Sequence, residues 1–332
     1  MKCRKLPLHC CLSLLGILAG LSSCASPQPA ITPSVPPSQP PQVTLSPVAI
    51  TALDSPLIPT PAPTEAVRPP SLAAPSPLPA AAPGPTLAPN EWKTLPVIPT
   101  LSPRAWAILA DGLAKGNHPR AFSKVGDCES RTTWFLNDFD AGPKQYSLGP
   151  YTGLQSVVDY YAGSFSRLSL AAKPGFNTAS LLTPFWADPK VCQAGENSLA
   201  CEYRLNRPAV VFVMLGTNDV AHVDTFEKNL RQILDYTIAQ GVLPVLATKA
   251  DNLEGDHRIN AAIARLAVEY NLPLWNYWAA VQDLPGQGLQ EDKAHLTYMP
   301  PFFDDPEAMK RAWPIRNLNA LQILHEVMGA TP

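Results

Sequence analysis

Apolar residues along the chain fall into short continuous runs separated by longer segments with helical spacing. The most apolar run, Ala209 to Leu215, reads A-V-V-F-V-M-L, and Val242 to Ala247 is a second run of this kind. A strand without polar alternation is buried on both faces, as in a parallel sheet covered by helices. Shorter runs predict three further strands, at Ala121–Val125, Ser169–Ala172 and Leu272–Trp275.

Between these runs, apolar residues recur at the spacing of an amphipathic helix. Val223 to Ala239 has this spacing and stops before Gly241, and Asp256 to Tyr270 is an Ala-rich segment of the same type. Ser102 followed by Pro103 predicts a helix start, because serine caps helices and proline suits the first helical position. Three more helices are predicted, at Gly153–Phe165, after Gly175–Thr178 and at Ile315–Met328.

Strands that alternate with helices predict the fold class, an α/β fold. The sheet is expected to be parallel and doubly wound, with helices on both faces. Binding and catalytic sites in such sheets form at the carboxyl ends of the strands. Polar motifs that directly follow a predicted strand are therefore the first candidates for chemistry.

The N-terminus has the pattern of an export signal. Lys2, Arg4 and Lys5 precede a mostly apolar segment, Leu8 to Leu21, which is short for a membrane span. It ends in Leu21-Ser22-Ser23-Cys24, which resembles a bacterial lipobox. Residues 1–23 are therefore predicted to be a lipoprotein signal peptide, and Cys24 the site of lipidation. The mature protein would be exported and anchored to the membrane at the cell surface. The alternative is an ordinary secretory signal with a chance cysteine.

Residues 24–100 are rich in Pro, Ala, Ser and Thr, and more than half of the 39 prolines precede Thr100. Such a segment buries too little apolar surface to offset its ordering entropy, so it is predicted to be a disordered, semi-stiff spacer. Residues 101–332 remain as one globular domain.

Charge and motif content exclude several classes of function. The net charge of −2 and the lack of a basic stripe argue against a nucleic-acid partner. The sequence has no Cys/His cluster with metal-ligand spacing and no phosphate-binding glycine loop. It therefore predicts neither a metal nor a cofactor.

Four polar motifs occur in a characteristic order. The first three follow predicted strands, and the fourth lies near the C-terminus: Gly126-Asp127-Cys128-Glu129-Ser130, Gly175-Phe176-Asn177-Thr178, Gly216-Thr217-Asn218-Asp219 and Asp292-Lys293-Ala294-His295. Together they resemble the SGNH, or GDSL, hydrolase superfamily. The resemblance implies a three-layer α/β/α, flavodoxin-like fold and hydrolysis of acyl or acetyl esters.

The resemblance also implies a role for each motif. Cys128 occupies the nucleophile position, His295 that of the general base, and Asp292 that of the residue orienting the imidazole. The oxyanion hole would comprise the Cys128 N–H, the Gly175 N–H and the Asn218 amide. His222, in a second D-x-x-H pattern, is the less favoured candidate for the base.

The superfamily has serine where this chain has Cys128, and three interpretations remain open. The thiol could be the nucleophile, since a neighbouring His and a helix N-terminus lower a thiol pKa. The domain could instead be an inactive module that binds an extracellular glycan. In the third interpretation, Ser130 supplies the hydroxyl. A structural role as a spaced surface protein is a further alternative.

The remaining candidates concern the borders of this site. Cys192 and Cys201 flank a polar loop and are expected to form a disulfide in an exported protein, although a bridge from Cys128 to either also fits the sequence. Trp186 and Trp313 are candidates for a sugar platform. The expected substrate is a small-molecule or polysaccharide ester.

Overall fold

The computed structural model describes residues 87–329. The predicted signal peptide, the lipidation of Cys24 and the spacer up to residue 86 lie outside the described residues.

Within residues 87–329, four parallel strands form one sheet in the order β1–β2–β3–β4. Their bounds are His118–Gly126 (β1), Pro208–Met214 (β2), Leu243–Ala247 (β3) and Leu274–Trp275 (β4). Every residue of β2 and β3 is buried. Because successive side chains of a strand point to opposite faces, helices must cover both faces of the sheet. The prediction of a parallel α/β sheet between two helical layers is confirmed.

Ten α-helices and six 3₁₀ helices occur in the described part of the chain. The α-helices are Pro103–Ala114 (α1), Cys128–Arg131 (α2), Asp138–Ala141 (α3), Gln155–Tyr160 (α4), Thr178–Leu182 (α5), Ser198–Asn206 (α6), Val223–Ala239 (α7), Arg258–Tyr270 (α8), Tyr277–Val281 (α9) and Ala312–Gly329 (α10). The 3₁₀ helices are Glu91–Thr94, Gly149–Leu154, Pro184–Trp186, Thr217–His222, Pro285–Gly288 and Ala308–Lys310.

The predicted strand at Ser169–Ala172 is reduced to a single parallel bridge between Ala172 and Gly126. The Leu170 N–H donates to the Glu202 carboxylate (2.9 Å) and the Ala171 N–H to the Ser169 hydroxyl (3.1 Å), so side chains replace a β ladder. Gly126 also pairs with Met214 of β2, so the segment lies on the opposite edge of β1. The strand order is therefore that of a flavodoxin-like sheet, in which the chain first continues on one side of β1 and then on the other side.

Helix ends follow local capping rules. The Ser102 hydroxyl accepts from the Ala105 N–H (3.1 Å) at the start of α1, as the sequence predicts. The end of α7 is closed by Gly241, whose positive φ of 67° lets its N–H reach the Ile238 carbonyl (2.8 Å). Asn197 caps α6, a helix that the sequence pattern does not predict, since it has little amphipathic periodicity.

The core extends upstream of the expected domain start at Leu101. Trp92 is buried, and its carbonyl accepts from the side-chain amide of Asn276 (2.8 Å), as does that of Leu95 (3.0 Å). The sequence assigns residues 87–100 to the spacer, whereas here they pack on the domain. Across residues 87–329, we find no helix with the length and apolar character needed to cross a bilayer.

Candidate active site

The first motif forms a tight turn between β1 and α2. Asp127 is the N-cap of α2, and its carboxylate accepts from the Glu129 N–H (3.0 Å). A Cβ at Gly126 would lie 2.2 Å from Ser130 Oγ and 2.4 Å from the Met214 carbonyl, so only glycine fits there. Ser130 is buried beneath this turn, which disfavours it as a source of the reacting hydroxyl. Cys128 is the first residue of the helix and is partly exposed.

Cys128, His295 and Asp292 form a continuous chain of contacts. Cys128 Sγ lies 3.9 Å from His295 Nε2, and His295 Nδ1 lies 2.6 Å from Asp292 Oδ2. Hydrogen bonds from the His295 N–H and then from its ring lower the pKa of Asp292 to about 2. An ionised carboxylate only accepts, so Nδ1 carries the proton and Nε2 faces the thiol as an acceptor when the ring is neutral.

A short turn fixes this orientation. Asp292 Oδ1 accepts from the N–H groups of Ala294 and His295, both at 3.0 Å. Lys293 adopts a positive φ of 58° between them, which brings the ring back onto the carboxylate. The hydrogen bond to Asp292 also raises the pKa of His295. The imidazole is therefore a stronger base than an isolated histidine.

The electrostatic setting of Cys128 differs from the expectation of an activated thiol. Burial, then the carboxylates of Asp127 and Glu129, raise the pKa of Cys128 to about 11. The helix that Cys128 begins has only four residues, so its dipole is small. At neutral pH the proton therefore rests on sulfur. The arrangement can perform nucleophilic attack only with proton transfer to His295.

The second and third motifs meet the first at the carboxyl edge of the sheet. The Lys173 N–H donates to the Gly126 carbonyl (3.2 Å), and Asn218 Nδ2 donates to the Phe176 carbonyl (3.1 Å). Gly175 lies between these contacts with a positive φ of 80°. Among the described residues, neither the Cys128 N–H nor the Gly175 N–H donates a hydrogen bond to another residue. Both donors are thus free to bind an oxyanion.

Asp219 and His222 do not form a second pair of this kind. Asp219 is buried and accepts from the N–H (3.0 Å) and the hydroxyl (2.6 Å) of Thr178, which fixes the start of α5. His222 is exposed. The Asp219 carboxylate of this D-x-x-H pattern therefore has a structural role, which is to hold the start of α5.

Exposed aromatic side chains lie near the motifs, and they include one of the two expected tryptophans. Trp313 is 1% exposed and belongs to the core, so the prediction that it forms a platform is wrong. Trp186 is exposed at the end of the 3₁₀ helix Pro184–Trp186, beside Phe185. On the side of His295, Trp134 and Tyr298 are 43% and 42% exposed, and their ring centroids lie 4.6 Å apart. The two ring planes are inclined by 35° and leave exposed aromatic surface that a sugar ring could cover.

Cys192 and Cys201 form a disulfide, and Cys128 is the free cysteine of residues 87–329. The disulfide sulfurs and the Glu196 carboxylate are one cluster of potential metal ligands in this region. However, a bonded sulfur is not a thiolate ligand, and Glu196 is paired with Arg204 (2.8 Å). This cluster therefore offers no metal site.

Sequence reasoning missed the charged residues beneath Cys128. Glu129, Arg316 and Lys249 are largely buried there and line a cavity of about 30 Å³ behind the turn. Lys249 pairs with Asp251 and Glu254, both at 2.6 Å. The one available signal was the charge of Glu129 directly after the nucleophile position.

Comparisons with known proteins reveal only distant likenesses. No family model matches the chain, and no curated protein matches it. A solved structure of a G-D-S-L family protein from Desulfitobacterium hafniense is 11% identical, with a TM-score of 0.40, and the alignment covers 61% of this chain and 99% of that one. A GDSL-like lipase from Bacteroides thetaiotaomicron is 13% identical, with a TM-score of 0.39 and coverage of 67% and 97%. Likeness at this level carries no argument about activity.

Proposed function

We propose that this protein is an SGNH-like hydrolase of acyl or acetyl esters that uses Cys128 as its nucleophile. The observation that carries the proposal is the contact chain from Cys128 Sγ to His295 Nε2 (3.9 Å) and from His295 Nδ1 to Asp292 (2.6 Å). A nucleophile, a base and an orienting carboxylate in this order are the requirement for acyl transfer.

The raised thiol pKa defines how the first step proceeds. Sγ attacks the carbonyl carbon while Nε2 accepts the thiol proton, and the carbonyl π electrons move onto oxygen. The N–H groups of Cys128 and Gly175 and the Asn218 amide bind this oxyanion. His295 then returns the proton to the leaving alkoxide as the C–O bond breaks, which leaves a thioester. Water cleaves the thioester by the same route and restores the thiol.

The decisive test measures turnover of a chromogenic acetate by the full-length protein. We expect His295→Ala and Cys128→Ala each to lower kcat/KM by at least about 100-fold, since they remove the base and the nucleophile. Glu269→Gln is a suitable control, because Glu269 pairs with Arg231 on the helical surface (2.5 Å). An acetyl group on the Cys128 peptide, detected by mass spectrometry, would identify the intermediate. Parental activity in His295→Ala would exclude the mechanism.

A second candidate function, glycan binding without turnover, is favoured by two observations. The pKa of Cys128 is raised to about 11, which weakens it as a nucleophile, and the Trp134–Tyr298 surface is exposed beside the site. Under this alternative, an acetylated glycan would bind the parent protein and Cys128→Ala equally well, and no thioester would form. Loss of binding in Trp134→Ala would then locate the ligand.

We further propose that the chain is exported and held at the membrane surface by acyl groups on Cys24. The support is the positive n-region, the apolar segment to Leu21 and the small residues before Cys24. In a bacterial host, Cys24→Ala should leave the protein without a lipid mass and outside the membrane fraction. An unmodified Cys24 in the parent protein would contradict this assignment.

A further inference from the structure

Glu129 bridges the nucleophile helix and the segment that carries His295. It follows Cys128 directly, yet its carboxylate turns away from the thiol into the protein. Its Oε1 accepts from the Leu296 N–H (2.8 Å) and its Oε2 from Arg316 Nη1 (3.0 Å). One carboxylate therefore contacts the residue after the candidate base and a cation of α10.

The His295 hairpin, residues 288–297, is closed by backbone contacts at its base, and the side chains at its tip are partly exposed. Thr297 donates its N–H to the Gly288 carbonyl (2.8 Å), and Leu289 and Leu296 form an antiparallel bridge. The side chains of Asp292 and His295 are about half exposed. Among the hydrogen bonds of residues 87–329, two join α2 to this hairpin, Cys128–His295 and Glu129–Leu296. The second is the shorter and the more buried.

Arg316 gives the bridge a rigid support. Its guanidinium lies 4.9 Å from the ring centroid of Phe135 and 5.2 Å from that of Trp313, and Nη2 donates to Met214 Sδ (3.0 Å). These contacts come from the core and from the end of β2. The guanidinium is planar and stacked, so it holds Glu129 in one place. Through Arg316 and Glu129, the position of the His295 hairpin therefore depends on the core and on the end of β2.

We propose that Glu129, held by Arg316, is a positioning residue that sets the distance between the His295 imidazole and the Cys128 thiol. The inference rests on the proposed function for its catalytic meaning, but the positioning itself can be measured without ester turnover. A shift of the hairpin by 1 Å would move Nε2 out of reach of Sγ, and misplacement of that size costs up to about 100-fold in rate.

The test uses two conservative variants of Glu129. One changes the charge of the side chain, and the other changes its length. Glu129→Gln keeps the length and the carbonyl acceptor for Leu296 but removes the charge. Glu129→Asp keeps the charge but is one methylene shorter, so it cannot contact Leu296 and Arg316 together. If Glu129 acts by positioning, the Gln variant retains the thiol–imidazole coupling and the Asp variant loses it. A purely electrostatic role predicts the reverse.

The coupling is read from alkylation of Cys128 by iodoacetamide at pH 8.5, where Glu129 is ionised although burial raises its pKa to about 7. Peptide mass spectrometry on the full-length protein separates Cys128 from the other cysteines. The coupling is the ratio of rate constants with His295 present and with His295→Ala. We expect Glu129→Asp to lower this ratio about 10-fold, whereas Glu129→Gln changes it less than 3-fold. Glu269→Gln and Glu269→Asp, at a matched Glu–Arg pair between α7 and α8, should leave it unchanged.

The outcomes distinguish this inference from the proposed function. Loss of coupling in Glu129→Asp without ester turnover in any variant would support positioning and contradict the hydrolase. An equal ratio in both variants, or a higher one in Glu129→Asp, would overturn the inference. If Glu129→Gln does not fold, the double variant Glu129→Gln/Arg316→Gln replaces it, since no unpaired charge then remains buried.

Discussion

At the scale of single residues, the thiol of Cys128 lies between one group that favours its ionisation and two that oppose it. His295 can accept its proton, whereas the carboxylates of Asp127 and Glu129 disfavour a second negative charge. A cysteine can be strongly nucleophilic without being a thiolate at rest, provided that a base accepts the proton during attack. The pH dependence of this site should therefore follow the base rather than the thiol.

Asp292→Asn tests this dependence on the base. A general base must be neutral, so activity should rise as the pH increases through the pKa of His295. Asp292 raises that pKa, and its loss should shift the rising limb of kcat/KM to lower pH. The maximal rate should fall about 100- to 10,000-fold, because the amide no longer fixes the Nδ1–H tautomer. An unshifted limb measured with a chromogenic ester would show that another group is the base.

Asp127→Asn tests the origin of the raised thiol pKa. Asparagine also caps helices, so the turn should survive while one negative charge near sulfur is removed. The thiol pKa should then fall below about 11, and alkylation of Cys128 at pH 8 should be faster than in the parent. Asp127→Ala, which loses the cap as well, should also be less stable by about 1 kcal/mol. Equal alkylation rates in Asp127→Asn and the parent would mean that the Asp127 charge does not contribute to the raised thiol pKa.

At the scale of elements, the sequence predicts most strongly those segments whose periodicity and caps agree. The helix from Val223 to Ala239 and the cap at Ser102 have the predicted positions. The strand predicted at Ser169–Ala172 fails because Glu202, distant in sequence, accepts the Leu170 N–H, and the Ala171 N–H donates to the Ser169 hydroxyl. Propensity reports local preference, whereas this competition depends on a tertiary contact.

Glu202→Gln should show how much the hydrogen bonds of Glu202, which hold residues 169–172 in place of a β ladder, contribute to stability. Glu202 is fully buried and accepts from Arg167 (2.6 Å), Ser123 (2.6 Å) and the Leu170 N–H (2.9 Å). Removing one charge of a buried pair is costly, but Arg167 is partly solvated, so we expect a loss of about 2–3 kcal/mol in the free energy of unfolding. Urea denaturation measures this loss.

The exposed pair of Glu307 and Lys310 provides the comparison for that experiment. Its two side chains are 69% and 56% exposed. Glu307→Gln should change the free energy of unfolding by less than about 1 kcal/mol, because solvent screens the interaction. Similar losses in the two variants would mean that Glu202 does not hold the segment before Gly175.

At the scale of the whole molecule, the site collects residues that are far apart in the chain at one edge of the sheet. Cys128 follows β1, Gly175 follows the bridge at Ala172, and Asn218 follows β2. The Ala172 segment and β2 lie on opposite sides of β1, so the chain crosses from one side of β1 to the other between them. Open α/β sheets form their binding crevice at such a point. Motif order predicts this convergence. It does not predict the thiol pKa or the Glu129–Arg316 support, because both arise from buried groups contributed by separate elements.

The disulfide should stabilise the molecule without entering the site. It joins Cys192 to the buried Cys201 of α6 across a separation of nine residues. Closing so short a loop reduces the entropy of the unfolded chain by an amount worth about 2–3 kcal/mol. For a domain of this size, the Tm of Cys192→Ser/Cys201→Ser should be lower by roughly 5–10 °C.

Reductant provides the matched control for this prediction. It should lower the Tm of the parent protein to that of the double variant and leave the variant itself unchanged. Because Cys128, His295 and Asp292 lie on α2 and the His295 hairpin, the coupling between thiol and imidazole should survive in both states. A loss of that coupling on reduction would mean that the polar loop before α6 supports the site, and that stability and chemistry are not separate in this fold.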